Sequence, residues 1–460
     1  MKKEKEATPE NIKLLEIEKK YLVDLECLRE MHCNVIPLLN EKDIERKKLL
    51  NETIKRLFTN RNQLKGRTDE KISGEQDKSE EPEEKTSKSE TNTDEEINKN
   101  DKDPIKLTGR DAEFLTSTIG KLKRAQNLFE NQAIVTLVSR FDEFLGEIIK
   151  LVLGQNPSWL KSSEKTITYK ELIDLKSIDK AIEGVIHKEV ENLLRDSHEE
   201  QINYVDEKLK LGIEQKFEKY SEFLEIAERR NLFVHTGGVV SQQYIDKCNS
   251  FGADIKKTKQ GDCLSSHTEY FTNAFMVYFE IALRISQASY RRLFPNELES
   301  ADRALNNLAI RFMNEGEYIL AEIITTFDLA IPDKLRSQDT EYLYFAYINQ
   351  AISRKYLNKD FEKGLNGIHW NVFHPKYALC LHALREEYEE ASNLMYSKEI
   401  QNEITQEGFR TWPAFRDFRD SHQFNKAYKD IYGIECVPNT NVFISENDDD
   451  NETDDKEKSS

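Results

Sequence analysis

The stretch Glu228-Arg229-Arg230-Asn231-Leu232-Phe233-Val234-His235-Thr236-Gly237-Gly238 decides how the chain is read. Upstream of it, Phe217, Tyr220, Leu224 and Ala227 fall on one stripe of a helix expected over 215–235. That stripe runs straight onto Asn231 and Val234–His235, so polar groups sit where the pattern says core or interface. Asn231 and His235 are four residues apart and therefore share a helix face, with Arg230 beside them. Thr236-Gly237-Gly238 should end the helix, because glycine adopts the left-handed conformation that closes a C-terminus.

An arginine, an amide and a histidine at one helix end are the groups a metal-independent ribonuclease needs. Imidazole titrates near neutrality and can pass protons at a ribose 2′-hydroxyl and a 5′-leaving oxygen. A guanidinium stays charged and matches the oxygens of a phosphate whose charge rises in the transition state. The amide orients the imidazole or holds a phosphate oxygen without adding charge. Spacing alone equally allows a plainer role, in which the His and Arg cap helix carbonyls.

Helix dominates the rest of the chain. Ten prolines in 460 residues leave room for long helices, and alternating β-branched runs are rare. Residues 8–60 read as two amphipathic helices broken near Asn34–Pro37, whose role the sequence leaves open between a hairpin, packing on the main body and partner binding. From about 300 an aromatic followed three residues later by a small residue recurs at Tyr318…Ala321, Phe361…Gly364, Tyr388…Ala391 and Phe424…Ala427. The mean interval, roughly 35 residues, is close to that of helix-turn-helix solenoid repeats. Helices are expected near 301–314, 317–330, 340–357, 375–385 and 387–400, with a closing element from Trp412-Pro413-Ala414-Phe415 to Tyr432-Gly433.

The motif Arg230-Asn231-x-x-x-His235 resembles the R-[polar]-x-x-x-H signature of the HEPN superfamily of small all-helical domains. The likeness covers roughly 125–290. It includes Leu137-Val138-Ser139-Arg140-Phe141-Asp142-Glu143-Phe144-Leu145, similar to the family's first long helix, together with Asn156-Pro157-Ser158-Trp159-Leu160 and Thr168-Tyr169-Lys170-Glu171-Leu172. The resemblance implies a helical bundle that forms a homodimer with motif helices facing each other. It also implies RNA as substrate, cleavage to a 2′,3′-cyclic phosphate without metal, and catalytic roles for Arg230, Asn231 and His235 alone. The C-terminal part looks like degenerate tetratricopeptide-type (TPR-like) repeats, which implies a protein or peptide partner. Toxin and phage-defence roles, including abortive infection, are common among families so built.

Charge is unevenly placed. The chain carries a net −18, of which residues 66–103 hold −7 (14 acidic, 7 basic) and residues 446–460 hold −6 (8 acidic, 2 basic). Both segments lack large apolar residues and are expected to be disordered. The remaining body is mildly acidic, and Arg229, the Lys256-Lys257-x-Lys259 loop and Arg291-Arg292 are its candidates for a basic surface, with a solvated face as the plainer reading. No aromatic interleaving of the kind used to stack single-stranded RNA is evident, so any RNA contact is expected to be confined to the site. The six cysteines show no C-x-x-C and no zinc-type pairing with His, and no phosphate loop, GxSxG or HExxH is present. No cofactor or metal is therefore expected. A charged N-terminus and no apolar run of membrane length point to a cytoplasmic protein with no membrane contact.

The expected architecture is all-α. It comprises an N-terminal helical segment (1–65), an acidic linker (66–105), a HEPN-like domain (106–297), a TPR-like domain (298–436) and an acidic tail (437–460). Two functions follow from the sequence: a metal-independent endoribonuclease, or a non-catalytic HEPN-like dimerisation platform for an interaction protein. The intact Arg230, Asn231 and His235 set favours the first.

Overall fold

The computed structural model describes residues 9–72, 109–162, 168, 175, 177–366, 368, 370 and 374–437. Most of the expected linker, most of the tail, and most of Thr168–Leu172 lie outside these residues. The described chain is all-α, its one β element being an isolated bridge between Val239 and Cys263. No described helix is long and apolar enough to cross a membrane.

Two long helices, α1 (Pro9–Ile72) and α2 (Gly109–Gln155), run antiparallel. Lys20 meets Glu143 and, further along, His32 lies against Phe129, which fixes their register. There follow α3 (Ile178–Leu193), α4 (His198–Leu209), α5 (Tyr220–His235), α6 (Gln242–Ser250) and α7 (Thr268–Leu293). Serine side chains start several of them. Ser197 and Glu200 form a reciprocal capping box on α4, and Ser241 caps α6 through the Tyr244 N–H.

Helix α7 is buried on nearly every side, from Phe271 through Tyr278 and Ile285 to Arg291. Only the stripe Asn273, Met276, Glu280, Arg284 and Ala288 is half-buried, and the other faces of α7 are covered by α1, α2, α5 and the C-terminal half. That half stacks α8 (Leu298–Asn314), α9 (Tyr318–Leu329), α10 (Glu341–Tyr356), α11 (Pro375–Leu384), α12 (Tyr388–Met395) and α13 (His422–Tyr432). Neighbours pack in sequence, α8 on α9, α9 on α10 and α11 on α12, while α13 returns to α12. Ala321, Ala391 and Ala427 are buried at these contacts, as their spacing after an aromatic predicts. Phe361…Gly364 departs from the pattern, forming a single 3-10 turn between α10 and α11. One apolar core runs unbroken from Leu14 to Tyr428.

Helix α1 corrects the sequence reading. It is one helix rather than two, and it extends seven residues into the stretch expected to be linker. Proline removes an N–H and so leaves the carbonyl four residues earlier without its partner. Here both Pro37 and Cys33 are exposed, so water can serve that carbonyl. On the opposite face, Ile36 is buried and His32 stacks on Phe271 at 4.1 Å, which holds the helix on course. Bidentate pairs Arg29–Glu317 (2.7 and 2.8 Å) and Arg311–Glu26 (2.6 and 3.0 Å) tie α1 to the C-terminal half. The pair Lys20–Glu143 (2.7 Å) ties it to α2.

The basic-surface candidate Arg291 is also corrected. It is buried, pairs with Asp302 at 2.6 Å, and donates to the Leu335 carbonyl at 2.8 Å. Arg336 completes this internal cluster through Asp328 at 3.0 Å. Such a cluster joins α7 to the first C-terminal hairpin and is unavailable to any ligand.

Glu18 of α1 is enclosed against α7, accepting from Ser286 Oγ (2.6 Å) and Gln287 Nε2 (3.2 Å). Burial raises its pKa from 4.5 to about 7, against the lowering effect of those two bonds and Arg291. Between those two values the folded protein holds a proton that the unfolded chain has lost, so this group makes stability fall as pH rises to about 7. Glu18→Gln keeps an acceptor without the charge. Its melting temperature should exceed the wild type's at pH 8, by the equivalent of at most about 3 kcal/mol, and the gap should close towards pH 5. Thermal melts across that range check this, and a gap independent of pH would refute it.

Candidate functional site at the end of α5

The helix expected over 215–235 is interrupted. A single turn, Ile213–Lys216, ends at Phe217, whose extended backbone carries its ring into the core, and α5 proper starts at Tyr220. From Phe223 to Ala227 every residue is buried.

Glu225 lies within that buried run. It accepts from Tyr244 Oη (2.6 Å) and Arg229 Nε (2.8 Å) on one oxygen and from Tyr270 Oη (2.8 Å) on the other. The Arg229 guanidinium lies 3.9 Å over the Tyr270 ring. Burial works against its charge, but Tyr270 and Glu225 outweigh burial and hold it protonated. Arg229 therefore locks α5, α6 and α7 together. It is not part of a basic surface, which corrects its reading from sequence.

Arg230 points to α2. Its Nη2 meets Asp142 Oδ2 at 2.9 Å and its Nη1 donates to Asn231 Oδ1 at 3.2 Å. The other Asp142 oxygen lies 3.0 Å from His198 Nε2, off the line of a hydrogen bond. Arg230 Nε is buried with no partner among the described residues. The structure thus joins Arg230 to Asn231 and adds Asp142 and His198, which sequence reasoning did not assign to the site. Asp142 had a signal: Val138, Leu145 and Ile149 around it on the helix are all buried, so a carboxylate among them needs a cationic partner. Nothing local marks His198, which is brought in by the packing of α4 on α5.

His235 lies away from Arg230. It is exposed at the last turn of α5, and no described residue bonds its ring. Five residues of α-helix turn about 140° from Arg230 to His235 and advance about 7 Å. Arg230 is turned inward while His235 faces solvent. The helix then closes as its sequence predicts: the N–H groups of Thr236 and Gly238 both reach the Leu232 carbonyl, at 2.9 and 3.0 Å. Gly237 and Gly238 have φ of +64° and +91°.

Beyond them the chain makes an excursion not foreseen from sequence. Val240, Tyr244, Cys248 and Ile255 gather on Leu232 as a small core of their own. The Leu264 N–H returns to the Gly238 carbonyl (2.9 Å), and Ser266 N–H reaches Asn131 Oδ1 of α2 (3.0 Å). These contacts set the end of α5 beside the N-terminal part of α2. A cleft of ≈ 60 Å³ between α4, α5 and α6, lined by His198, Glu228 and Lys247 among others, is too small for a nucleotide, and it excludes all three motif residues. Of the motif residues, Arg230 and Asn231 are half-buried and His235 is exposed. Among the described residues no group of three or more His, Cys, Asp or Glu is placed to hold a metal ion.

Comparison of the chain with family models, with curated proteins and with solved structures gives no match.

The two glycines that end α5 differ in a way that can be measured. A Cβ on Gly238 would meet the Leu264 carbonyl at 2.5 Å, whereas one on Gly237 meets nothing within 4 Å. Gly237→Ala should cost about 1–2 kcal/mol, the ordinary left-handed penalty. Gly238→Ala should cost more and should open the Val240–Leu264 excursion. Hydrogen exchange at the Val240 and Leu264 amides reads this directly, and equal protection in both variants would contradict it.

Proposed function

We propose that the chain is a metal-independent endoribonuclease of the HEPN type, with TPR-like C-terminal repeats that receive a protein or peptide partner. A toxin or phage-defence effector is the setting that such an architecture suits. The observation that carries the reading is the division of labour at the end of α5. Arg230 is oriented by Asp142 and Asn231, while the His235 imidazole stands open to a substrate.

In the proposed reaction the 2′-oxygen attacks the adjacent phosphorus and its proton passes to a His235 imidazole. The P–O5′ bond breaks and O5′ takes a proton from a second imidazolium, giving a 2′,3′-cyclic phosphate and a 5′-hydroxyl. One helix supplies a single imidazole, and its Arg230 is turned about 140° away. A two-fold homodimer that faces two α5 helices supplies the second imidazole and brings the cationic group of one chain to the imidazole of the other.

A second reading has its own support. Arg230 is already paired with Asp142 and Asn231, as a purely architectural residue would be, and this favours a non-catalytic platform. Mutagenesis separates the two. His235→Ala should lower cleavage about 10²–10⁴-fold and Arg230→Ala about 10²–10³-fold, with Asn231→Ala milder and the circular dichroism spectrum unchanged. RNA with 2′-deoxyribose at the scissile position should be uncut, and cleavage should persist in EDTA. Gel assays with end-group analysis test all of this, and wild-type rates in His235→Ala would leave the platform reading in place. Light scattering should give twice the monomer mass, and a fully active monomer would rule out the shared site.

A further inference from the structure

We propose that the arm formed by the N-terminal part of α2 and the adjoining part of α1 grips the phosphodiester backbone of a single RNA strand beside His235. The choice of RNA rests on the ribonuclease reading. The binding surface itself rests on the arm.

The register of α1 against α2, with His32 beside Phe129, continues outward so that residues 33–52 of α1 accompany residues 109–128 of α2. These two segments hold eight Lys and Arg against six Asp and Glu, a net positive charge in a chain of net −18. On α1, Lys42 pairs with Glu45 and Lys47 with Asp43. On α2, by contrast, Lys121, Lys123 and Arg124 are exposed, and no described residue pairs with them.

Their arrangement is specific. Arg110, Phe114, Lys121, Arg124 and Leu128 follow helical spacing along one face. Phe114 is 70 % exposed and Leu128 67 %. Cations alternating with an exposed ring are what single-stranded nucleic acid requires, charge for the phosphates and an aromatic face for a base. The arrangement is not visible along the sequence and emerges because these positions share one side of α2.

The arm also lies at the right end of the molecule. Ser266 joins the excursion after α5 to Asn131, and Arg124 is about 10 Å further along α2 from that point. The exposed Lys256, Lys257 and Lys259 belong to the same excursion. A strand held on α2 would therefore be delivered to the open imidazole.

The test uses the full chain carrying His235→Ala, so that binding is read without cleavage. Its probe is a fluorescein-labelled RNA without secondary structure, followed by anisotropy from about 50 to 200 mM salt. Arg110→Glu/Lys121→Glu/Arg124→Glu should weaken binding at least about tenfold at low salt. It should also make the slope of log K against log salt shallower by about 2, three contacts at about 0.7 each. Phe114→Ala should weaken binding about fivefold or more with the slope unchanged, because stacking releases no counterions. Lys363→Glu/Lys398→Glu/Lys426→Glu, an equal change of charge on exposed positions of the C-terminal half, should leave affinity within about twofold. Glutamine in place of glutamate at the three arm positions gives a milder version of the same loss should the triple reversal disturb folding. Unchanged affinity and slope in both arm variants would overturn the proposal, as would an equal loss in the control. If the wild-type chain binds in this manner but cuts nothing, the ribonuclease reading falls and the arm stands.

Discussion

The enclosure of α7 is the constraint on which the rest depends. A helix buried along all but one stripe from Phe271 to Arg291 cannot stand at the edge of a domain. It needs α1 and α2 on one side, α5 on another and the α8–α9 hairpin at its end. The result is one continuous core with no seam between the halves, in which Glu18 is held by Ser286 and Gln287 and Arg291 by Asp302. Buried ion pairs of this kind contribute little net stability, yet losing either partner strands a charge in a medium that cannot solvate it.

The same geometry divides the two arginines of the central motif. Adjacent residues on a helix point about 100° apart. Arg229 therefore falls to Glu225 and the Tyr270 ring, whereas Arg230 reaches across to Asp142. Which of the two arginines faces α2 is set by the rotation of α5 against α2 and α7. The sequence motif picks out Arg230 by its distance from His235, and the packing assigns the other arginine to architecture.

How much was legible beforehand depended on whether the deciding contact was local. Helix type, the stop at Thr236–Gly238 and the helices from 298 to 356 follow from periodicity, glycine conformation and spacing, all properties of neighbouring residues. The break at Phe217 and the continuity of α1 through Pro37 were decided by distant partners: the core that takes the Phe217 ring, and α7 against His32 and Ile36. In the site, Arg230, Asn231 and His235 were visible because they lie within six residues. Asp142 and His198 are supplied by other helices, and Arg291 looked exposed only because its carboxylate, Asp302, belongs to a different helix.

The clasp of α1 has a consequence for biosynthesis. Asn11 bonds Tyr290, Glu18 bonds Ser286, and Arg29 bonds Glu317, contacts separated by 268 to 288 residues. A ribosome adding about 5–20 residues per second takes roughly 15–60 s to make the segment on which α1 must close. Until then α1 can rest only on α2, where Tyr21 meets Phe141 and Phe144, while the face that ends against α7, with His32 on Phe271, has no final partner. Helix α1, made well before α7 and the C-terminal half, is thus among the last of the described helices to be fully enclosed, and the newborn chain depends on whatever shields its waiting face.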